Sequence, residues 1–387
     1  MSEWEKLKLG DVASITSSKR IFAKEYTTEG VPFYRGKEII EKHKGNNIST
    51  ELFISNERYE EIKNKFDVPK KGDILLTSVG TLGIPWLVDE EKFYFKDGNL
   101  TWLRCNEKTT PEFLYLWLNS LEAKNQIDMM CIGSTQKALT IDTLNKFDIA
   151  LPSLEIQKEI CSIIYPISKK IECNNQINRN LSEQAKAIYE QMIIASSDEC
   201  EKGMLSDIAD IVMGQSPKGD TYNEDGKGTV FYQGRAEFGE RFPTRRLFTT
   251  APKRIAKRDA VLMSVRAPVG DINVAYEDCC IGRGLCSVTS KKNHQSYILY
   301  TMYSLRKQFE VYNAEGTVFG SANKNAINRI LVNIPKVETV EQFEKVVKPI
   351  DLLIRANYKE NCRLVKLRDN LLPKLMSGEI DVSNIEI

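Results

Sequence analysis

Two stretches of the chain repeat apolar residues at alternating spacings of four and three. The first seam consists of Ile160, Ile164, Ile167, Ile171, Leu181, Ala185, Ile188 and Met192. The second seam consists of Phe343, Val347, Ile350, Ile354, Asn357, Asn361, Leu364, Arg368, Leu371 and Leu375. This is the heptad pattern of helices that pack along one another, so both stretches are predicted to be long helices. Pro166 and Pro349 are expected to kink or to start them.

Asparagine interrupts both seams at their centres, with Asn174 and Asn178 in the first and Asn357 and Asn361 in the second. A buried Asn costs stability unless it finds a polar partner, so its usual role is to fix register. Antiparallel pairing brings Asn174 to Asn361 and Asn178 to Asn357. The sequence therefore predicts an intramolecular antiparallel coiled coil. The alternative is two independent amphipathic helices, each packed on its own domain.

The helical stretches belong to an internal repeat. Residues 133–192 align with residues 316–375 without a gap, and FYRGK at 33–37 resembles FYQGR at 231–235. The predicted division of the chain is a globular part at 1–151, a helical spacer at 152–201, a second globular part at 202–335 and a second helical spacer at 336–387.

The globular parts alternate short apolar runs, such as those at 74–76 and 260–263, with Gly, Pro and Asn. Each has one predicted helical stretch, near 111–127 and 295–309. We therefore predict an α+β fold in which two similar domains with mixed or antiparallel sheets are separated by the paired helices, as a pseudo-two-fold internal repeat.

Composition excludes several classes of protein. Among 387 residues, 54 basic and 53 acidic side chains nearly cancel, so no uniform basic coat covers the molecule. No stretch approaches the roughly 18 apolar residues of a membrane span, and the N-terminal sequence is charged where a signal peptide is apolar. We expect a cytoplasmic protein without membrane contact. Nine cysteines without a CxxC pair and two histidines predict free thiols and no metal site.

Sequence motifs of catalysis are missing. The chain has no GxxxxGK[ST] phosphate loop, no strand-borne GxGxxG and no [DNS]PP[YF] tetrapeptide of amino-methyltransferases. We therefore predict a non-catalytic protein. A rival hypothesis, an intrinsic nuclease, rests on Glu90-Glu91-Lys92, for which a solvated charge run is the favoured interpretation.

Positive charge is concentrated in the second globular part, where residues 202–335 carry a net charge of +6. Seven basic residues without an intervening acid lie within 18 positions, next to Phe242 and Phe248. They are Arg241, Arg245, Arg246, Lys253, Arg254, Lys257 and Arg258. Such a run is typical of phosphate contacts, and Arg can also fork onto guanine. The alternative is a solvated basic face.

Further candidates for DNA contact lie beside glycine-rich turns. In the second globular part they are Gln215, Lys218, Tyr232, Gln233, Arg235, Arg266 and Arg283. Their counterparts by repeat position in the first are Lys19, Arg20, Tyr34, Arg35 and Lys37. Small polar turns add Ser134 and Lys137, and Thr317 in the second copy.

Several segments resemble the specificity subunit (HsdS) of type I restriction-modification systems, and the resemblance covers the whole chain. They are LPSLEIQKEI at 151–160, MGQSPKG at 213–219, SVRAPVGDINVA at 264–275, IGRG at 281–284, IPKVETVEQF at 334–343 and NLLPKLMSGEI at 370–380. The resemblance implies that each globular part is a target recognition domain reading one half of a bipartite site in double-stranded DNA. It implies that the helices dock two modification (methyltransferase) subunits and set the half-site spacing.

The resemblance also implies that this chain holds no cofactor. S-adenosylmethionine is expected in the modification subunits and ATP in the restriction subunits. A competing hypothesis is a non-catalytic scaffold that joins two protein partners through its globular parts. That hypothesis predicts exposed apolar patches in place of a basic face.

Overall fold

The structure is a computed structural model that describes residues 4–46, 48, 50–131, 138–194, 200–266, 268–309 and 322–382. The chain divides into two compact units, one made of Met1–Gln176 with Lys359–Ile387 and the other of Ile177–Tyr358. Each unit combines one sheet-containing module with segments of two long helices. The predicted site residues Ser134, Lys137 and Thr317 lie outside the described residues.

Strands of the first module form two sheets and a separate ladder. The larger sheet is antiparallel in the order β2-β9-β6-β7, the smaller has the order β3-β5-β4-β8 with β4 and β8 parallel, and β1 pairs with β10. The strands are β1 Glu5–Lys8, β2 Ala13–Thr16, β3 Tyr26–Thr27, β4 Val31–Tyr34, β5 Phe53–Ile54, β6 Ile74–Thr77, β7 Pro85–Leu87, β8 Tyr94–Phe95, β9 Leu100–Cys105 and β10 Asp148–Leu151.

The second module repeats this topology with one additional strand. Its sheets have the orders β12-β20-β17-β18 and β13-β15-β14-β19-β16, and β11 pairs with β21. The strands are β11 Glu201–Met204, β12 Ala209–Met213, β13 Tyr222–Asn223, β14 Thr229–Tyr232, β15 Phe248–Thr249, β16 Ile255–Ala256, β17 Val261–Ser264, β18 Ile272–Val274, β19 Cys279–Ile281, β20 Leu285–Ser290 and β21 Leu331–Ile334. The predicted repeat and α+β class are confirmed.

Helices account for most of the remaining regular structure. They are α1 Leu9–Val12, α2 Gly36–His43, α3 Asn56–Phe66, α4 Pro111–Asn119, α5 Leu121–Cys131, α6 Ile141–Asn145, α7 Leu154–Tyr189, α8 Leu205–Ile208, α9 Gln295–Ser304, α10 Lys324–Asn328 and α11 Val337–Met376. A π-helical turn, Glu190–Ile194, follows α7. The expectation of one helical stretch per module is wrong for the first module, because α2 and α3 are short, mostly charged helices that bury few apolar residues.

The central strands β6 and β17 are buried over their whole length because both of their faces are covered. In the first module, Ile74 and Leu76 pack with helix α4, whereas Leu75 joins a second core with aromatic residues of both sheets. In the second module, Val261 and Leu262 divide in the same way. A continuous apolar run is therefore the expected sequence for these strands.

The long helices α7 and α11 have 36 and 40 residues, or about 54 and 60 Å at 1.5 Å per residue. The Ser153 hydroxyl accepts a hydrogen bond from the Ile156 N–H at 3.4 Å and so caps α7. Both helices continue through Pro166 and Pro349. These prolines therefore do not start the helices, which was one of the two predicted roles.

In the first unit the two helices meet through a buried layer of amides. Asn174 Nδ2 donates to Asn361 Oδ1 at 2.9 Å and to Glu360 Oε2 at 2.7 Å. Asn361 Nδ2 in turn donates to Asn175 Oδ1 at 2.7 Å. Apolar seam residues, among them Ile164, pack in one core with residues near the end of α11. This pairing requires that α7 and α11 run antiparallel.

In the second unit the same pairing recurs. Asn357 Nδ2 donates to Asn178 Oδ1 at 2.9 Å, and Asn178 Nδ2 donates to the Ile354 carbonyl at 3.4 Å. Ala185 and Val347 are fully buried in one apolar core. The predicted antiparallel coiled coil is confirmed, and the alternative of two independent helices is wrong.

We expect Asn361→Ala to lower the free energy of unfolding by about 1–3 kcal/mol, since it removes the partner of two amides in the seam. Urea denaturation of the full chain measures this change. The matched control is Lys359→Ala, an exposed position two residues away on the same helix, which should change stability by less than about 0.5 kcal/mol. Equal effects of the two substitutions would contradict the role of the Asn layer.

Candidate nucleic-acid interface

Five chain segments of the second module meet at one edge of its sheets. Strands β14 and β19 are parallel and end there, and antiparallel β16 begins there. Backbone hydrogen bonds tie the segments together. Gly282 N–H donates to the Tyr232 carbonyl at 2.8 Å, Ile281 N–H to the Arg254 carbonyl at 2.9 Å, and Val265 N–H to the Gly284 carbonyl at 2.9 Å. The turn after β12 joins them because Gln215 N–H donates to the Ile281 carbonyl at 2.9 Å.

Glycines allow these turns to pack against each other's backbone. A Cβ on Gly214 would lie 2.1 Å from the Gly282 carbonyl oxygen. A Cβ on Gly282 would lie 2.9 Å from Gln233 Cα, and one on Gly284 would lie 2.8 Å from the Gln233 carbonyl oxygen. Any larger residue would force the backbones apart, so the turn spacing depends on these glycines.

Four side chains project from these packed turns, and we call them the second-module edge. They are Gln215, Gln233, Arg266 and Arg283. All four are exposed, and none of these side chains makes a hydrogen bond or an ion pair with another described residue. Three further exposed cations also have no such partner, and we call them the flanking cations: Lys218, Lys253 and Arg254. Lys218 lies three residues after Gln215, and Lys253 and Arg254 directly precede β16, where the Arg254 carbonyl accepts the Ile281 N–H. Amide and guanidinium groups in this setting can bind base edges or phosphates.

Most of the predicted basic run is paired with carboxylates from elsewhere in the chain. Among its seven members only Lys253 and Arg254 are unpaired within the described residues. The pairs are Arg241 with Asp351, Arg245 with Glu277 at 2.9 Å, Arg246 with Glu237 at 2.7 Å, Lys257 with Asp278 at 2.8 Å and Arg258 with Asp259 at 3.4 Å. Apart from Arg241, these side chains are exposed, so phosphate would have to compete with a carboxylate for each of them.

Arg241 differs from the other members because its side chain is only 10% exposed. It pairs with Asp351 on helix α11, and Tyr300 Oη donates to the same carboxylate at 3.0 Å. Burial by itself lowers the pKa of the Arg241 guanidinium, yet Tyr303 and Asp351 raise it above its usual value. The structure therefore places Arg241 as an internal ion pair between module and helix, away from the surface to which the sequence assigned it.

Two tyrosines predicted as site residues lie beneath the edges. Tyr232 and Tyr34 are each 1% exposed, and burial raises the pKa of both phenols. Tyr34 Oη donates to Glu91. Arg235, the remaining candidate of the second module, is exposed but pairs with Asp271. Tyr34 and Tyr232 are therefore too buried to contact a ligand, and Arg235 would first have to give up Asp271.

The first module repeats two of these backbone contacts at its corresponding edge. Lys96 N–H donates to the Tyr34 carbonyl at 2.8 Å, and Ser78 N–H donates to the Asn99 carbonyl at 2.8 Å. Strand register then gives the equivalents of the second-module edge. In the order Gln215, Gln233, Arg266, Arg283, they are Lys19, Arg35, Val79 and, counted from the parallel strand β8, Asp97. The first-module turn between β8 and β9 is one residue longer than its counterpart, so counting back from β9 places Gly98 at the position of Arg283.

Side chains at this first-module edge carry a different chemistry. Arg35 pairs with buried Glu38 at 2.9 Å, and Arg20 pairs with Asp97 at 2.7 Å. The Lys19 ammonium lies 5.0 Å from the centre of the exposed Phe66 ring. Lys37 is exposed and makes no hydrogen bond or ion pair with another described residue. The corresponding edges of the two modules therefore present different side chains.

Other features bear on the functional class. No helix within the described part of the chain is long and apolar enough to cross a bilayer. The described residues contain no group of three or more metal-ligating side chains, and the eight cysteines whose side chains are described are free thiols.

Known proteins are similar to this chain in sequence. The family profile described as "Type I restriction modification DNA specificity domain" matches residues 1–183 and 197–361. The putative type I restriction enzyme MjaX specificity subunit of Methanocaldococcus jannaschii is 28% identical, over 98% of this chain and 94% of the relative. The type I restriction enzyme HindI specificity subunit of Haemophilus influenzae is 23% identical, over 98% of this chain and all of the relative.

A solved structure has the same fold. The S subunit of a type I restriction-modification system from M. genitalium aligns over 96% of each chain with a TM-score of 0.62 and 17% identity. Both matched segments contain one module with its repeated sheet topology. The chain therefore belongs to the family of type I restriction-modification specificity subunits.

Proposed function

We propose that this chain recognises double-stranded DNA for a type I restriction-modification complex, with each module contacting one half of a bipartite site. The observation that carries the proposal is the second-module edge. Turns held together by glycine contacts present four exposed side chains that no described residue engages. Such side chains meet DNA without first giving up an internal partner, in contrast to Arg245 and Arg246.

The flanking cations supply the part of binding that does not depend on sequence. Lys218, Lys253 and Arg254 are exposed cations near the edge, a position from which they reach phosphates on either side of a groove. The first-module edge has Val79 and an ion-paired Asp97 where the second has two arginines. We therefore infer that the two half-sites differ in sequence.

The long helices serve as the docking surface for the catalytic partners in this proposal. Outside its seam, helix α11 exposes five large apolar residues, and exposed apolar side chains of this kind favour a contact with another protein over a solvated surface. They are Val337, Val346, Leu352, Leu353 and Leu367. Two modification subunits that hold S-adenosylmethionine would occupy these helices, restriction subunits would bring ATP, and this chain would contribute no catalytic group.

Helix length sets the half-site spacing in the same proposal. Both α7 and α11 contribute residues to both units, and their register is fixed by the Asn layers. A stiff helical pair of defined register holds a distance better than a flexible linker does. The number of unread base pairs then follows from the number of helical residues.

Replacing both Lys253 and Arg254 by Gln should weaken binding to every duplex. A plot of the logarithm of the DNA association constant against the logarithm of salt concentration has a negative slope. Loss of two phosphate contacts makes this slope shallower by about 1.8. A salt titration of the full chain on random-sequence duplex measures this change. The control is Lys227→Gln, an exposed lysine paired with Asp225 at the opposite end of β14, which should leave the slope unchanged. A slope as steep in the double variant as in the control would contradict the proposal.

Insertion of one heptad after Gln176 and another after Tyr358 should widen the gap between half-sites by about three base pairs, since seven residues add about 10.5 Å. Both insertions lie between the Asn layers and keep the seam in phase. Mapping modified adenines in cells that carry the variant with its partner subunits reads the gap directly. A motif with the original gap would refute the spacing role and leave half-site reading intact.

A further inference from the structure

We infer that the second-module edge selects purines, with Arg266 and Arg283 reading guanine and Gln215 and Gln233 reading adenine. This inference rests on the proposed function and names the bases that this surface accepts. Arg forks onto the O6 and N7 acceptors of guanine, and Gln pairs with N6 and N7 of adenine, in each case through two hydrogen bonds in the major groove. The four residues of the second-module edge are of these two types.

The four side chains come from neighbouring turns whose positions are set by backbone contacts. Arg283 is central, because its N–H donates to Ser216 Oγ at 3.2 Å and the following Gly284 N–H donates to the Gln233 carbonyl at 3.3 Å. Arg266 follows Val265, whose N–H is bonded to Gly284. Neighbouring strands lie about 4.8 Å apart. Since DNA rises about 3.4 Å per base pair, turns at this spacing face adjacent or next-adjacent base pairs.

Charge pairing separates the readers from other arginines of the module. Arg235, Arg245 and Arg246 each contact a carboxylate and must exchange it to bind guanine. Arg266 and Arg283 have no such contact among the described residues. Their guanidinium groups can therefore bind a base without first breaking an ion pair. Bidentate Arg–guanine contacts favour guanine over another base by about 1–3 kcal/mol.

The first module provides an internal comparison. Val79 and Asp97 stand at the positions of Arg266 and Arg283. Val79 is 44% exposed and offers only an apolar contact, of the kind made with a thymine methyl group, and Asp97 is occupied by Arg20. Guanine reading from these two positions is therefore confined to the second module.

Arg266→Gln and Arg283→Gln, made separately, test the assignment. Binding-site selection with the full chain and a randomised duplex should yield a wild-type motif with guanine at two positions of one half. Each variant should relax a different one of these two positions. The preference there falls by about 5- to 140-fold, the equivalent of 1–3 kcal/mol, while the other half is unchanged. Lys227→Gln, which removes one charge away from the edge, should select the wild-type motif.

Alternative outcomes are distinct from one another. Uniformly weaker binding with an unchanged motif and a shallower salt slope would make both arginines phosphate contacts and overturn the inference. A bipartite motif without guanine in either half would also overturn it while the proposed function stands. Absence of any bipartite motif would overturn the proposed function itself.

A variant that gains a guanine preference tests the same inference and does not depend on loss of binding. Val79→Arg places a guanidinium at the position equivalent to Arg266 on an exposed site, so folding should be unaffected. We expect a new guanine preference at one position of the other half-site. An unchanged first half, with the variant folded and bound as wild type, would refute the equivalence of the two edges.

Discussion

Pairing of buried amides in the helical seam is the constraint on which the rest of this structure depends. A side-chain amide removed from water must find a partner inside the protein, and the cost of failure is larger than the gain from one apolar layer. Asn174 meets Asn361, and Asn178 meets Asn357. One direction and one register satisfy these pairs together, so the pairing determines which part of each long helix packs with which module.

Sequence reasoning succeeded where physical periodicity is simple. The heptad seams, the Asn partners and the repeated modules are all readable, because a helix or a buried strand repeats its environment at fixed intervals. It failed for Tyr34 and Tyr232, which follow a Phe at the end of β4 and β14. Both faces of these strands are covered, so Phe33 enters one core and Tyr34 another. The sequence alone does not distinguish a buried tyrosine beside a turn from a tyrosine on the surface.

The sequence also could not show which basic side chains are paired with carboxylates in the folded chain. The run from Arg241 to Arg258 contains no acid, yet Asp351, more than a hundred residues away from Arg241, neutralises its first member. Net charge along a window ignores such partners, which only the folded chain brings together. The unpaired Arg266 and Arg283 stand outside the run, in glycine-containing segments that predicted turns correctly but gave no indication of which side chains would lack a partner.

Contacts among Gly214, Gly282 and Gly284 have a consequence for how such a protein acquires new targets. These glycines let main-chain atoms of neighbouring turns approach closely, so the frame does not depend on the exposed side chains of Gln215, Gln233 and Arg283 beside them. If the edge reads DNA as we propose, a substitution at a tip changes the sequence that is read without disturbing the packed turns. New recognition could then evolve in single steps while the scaffold stays the same.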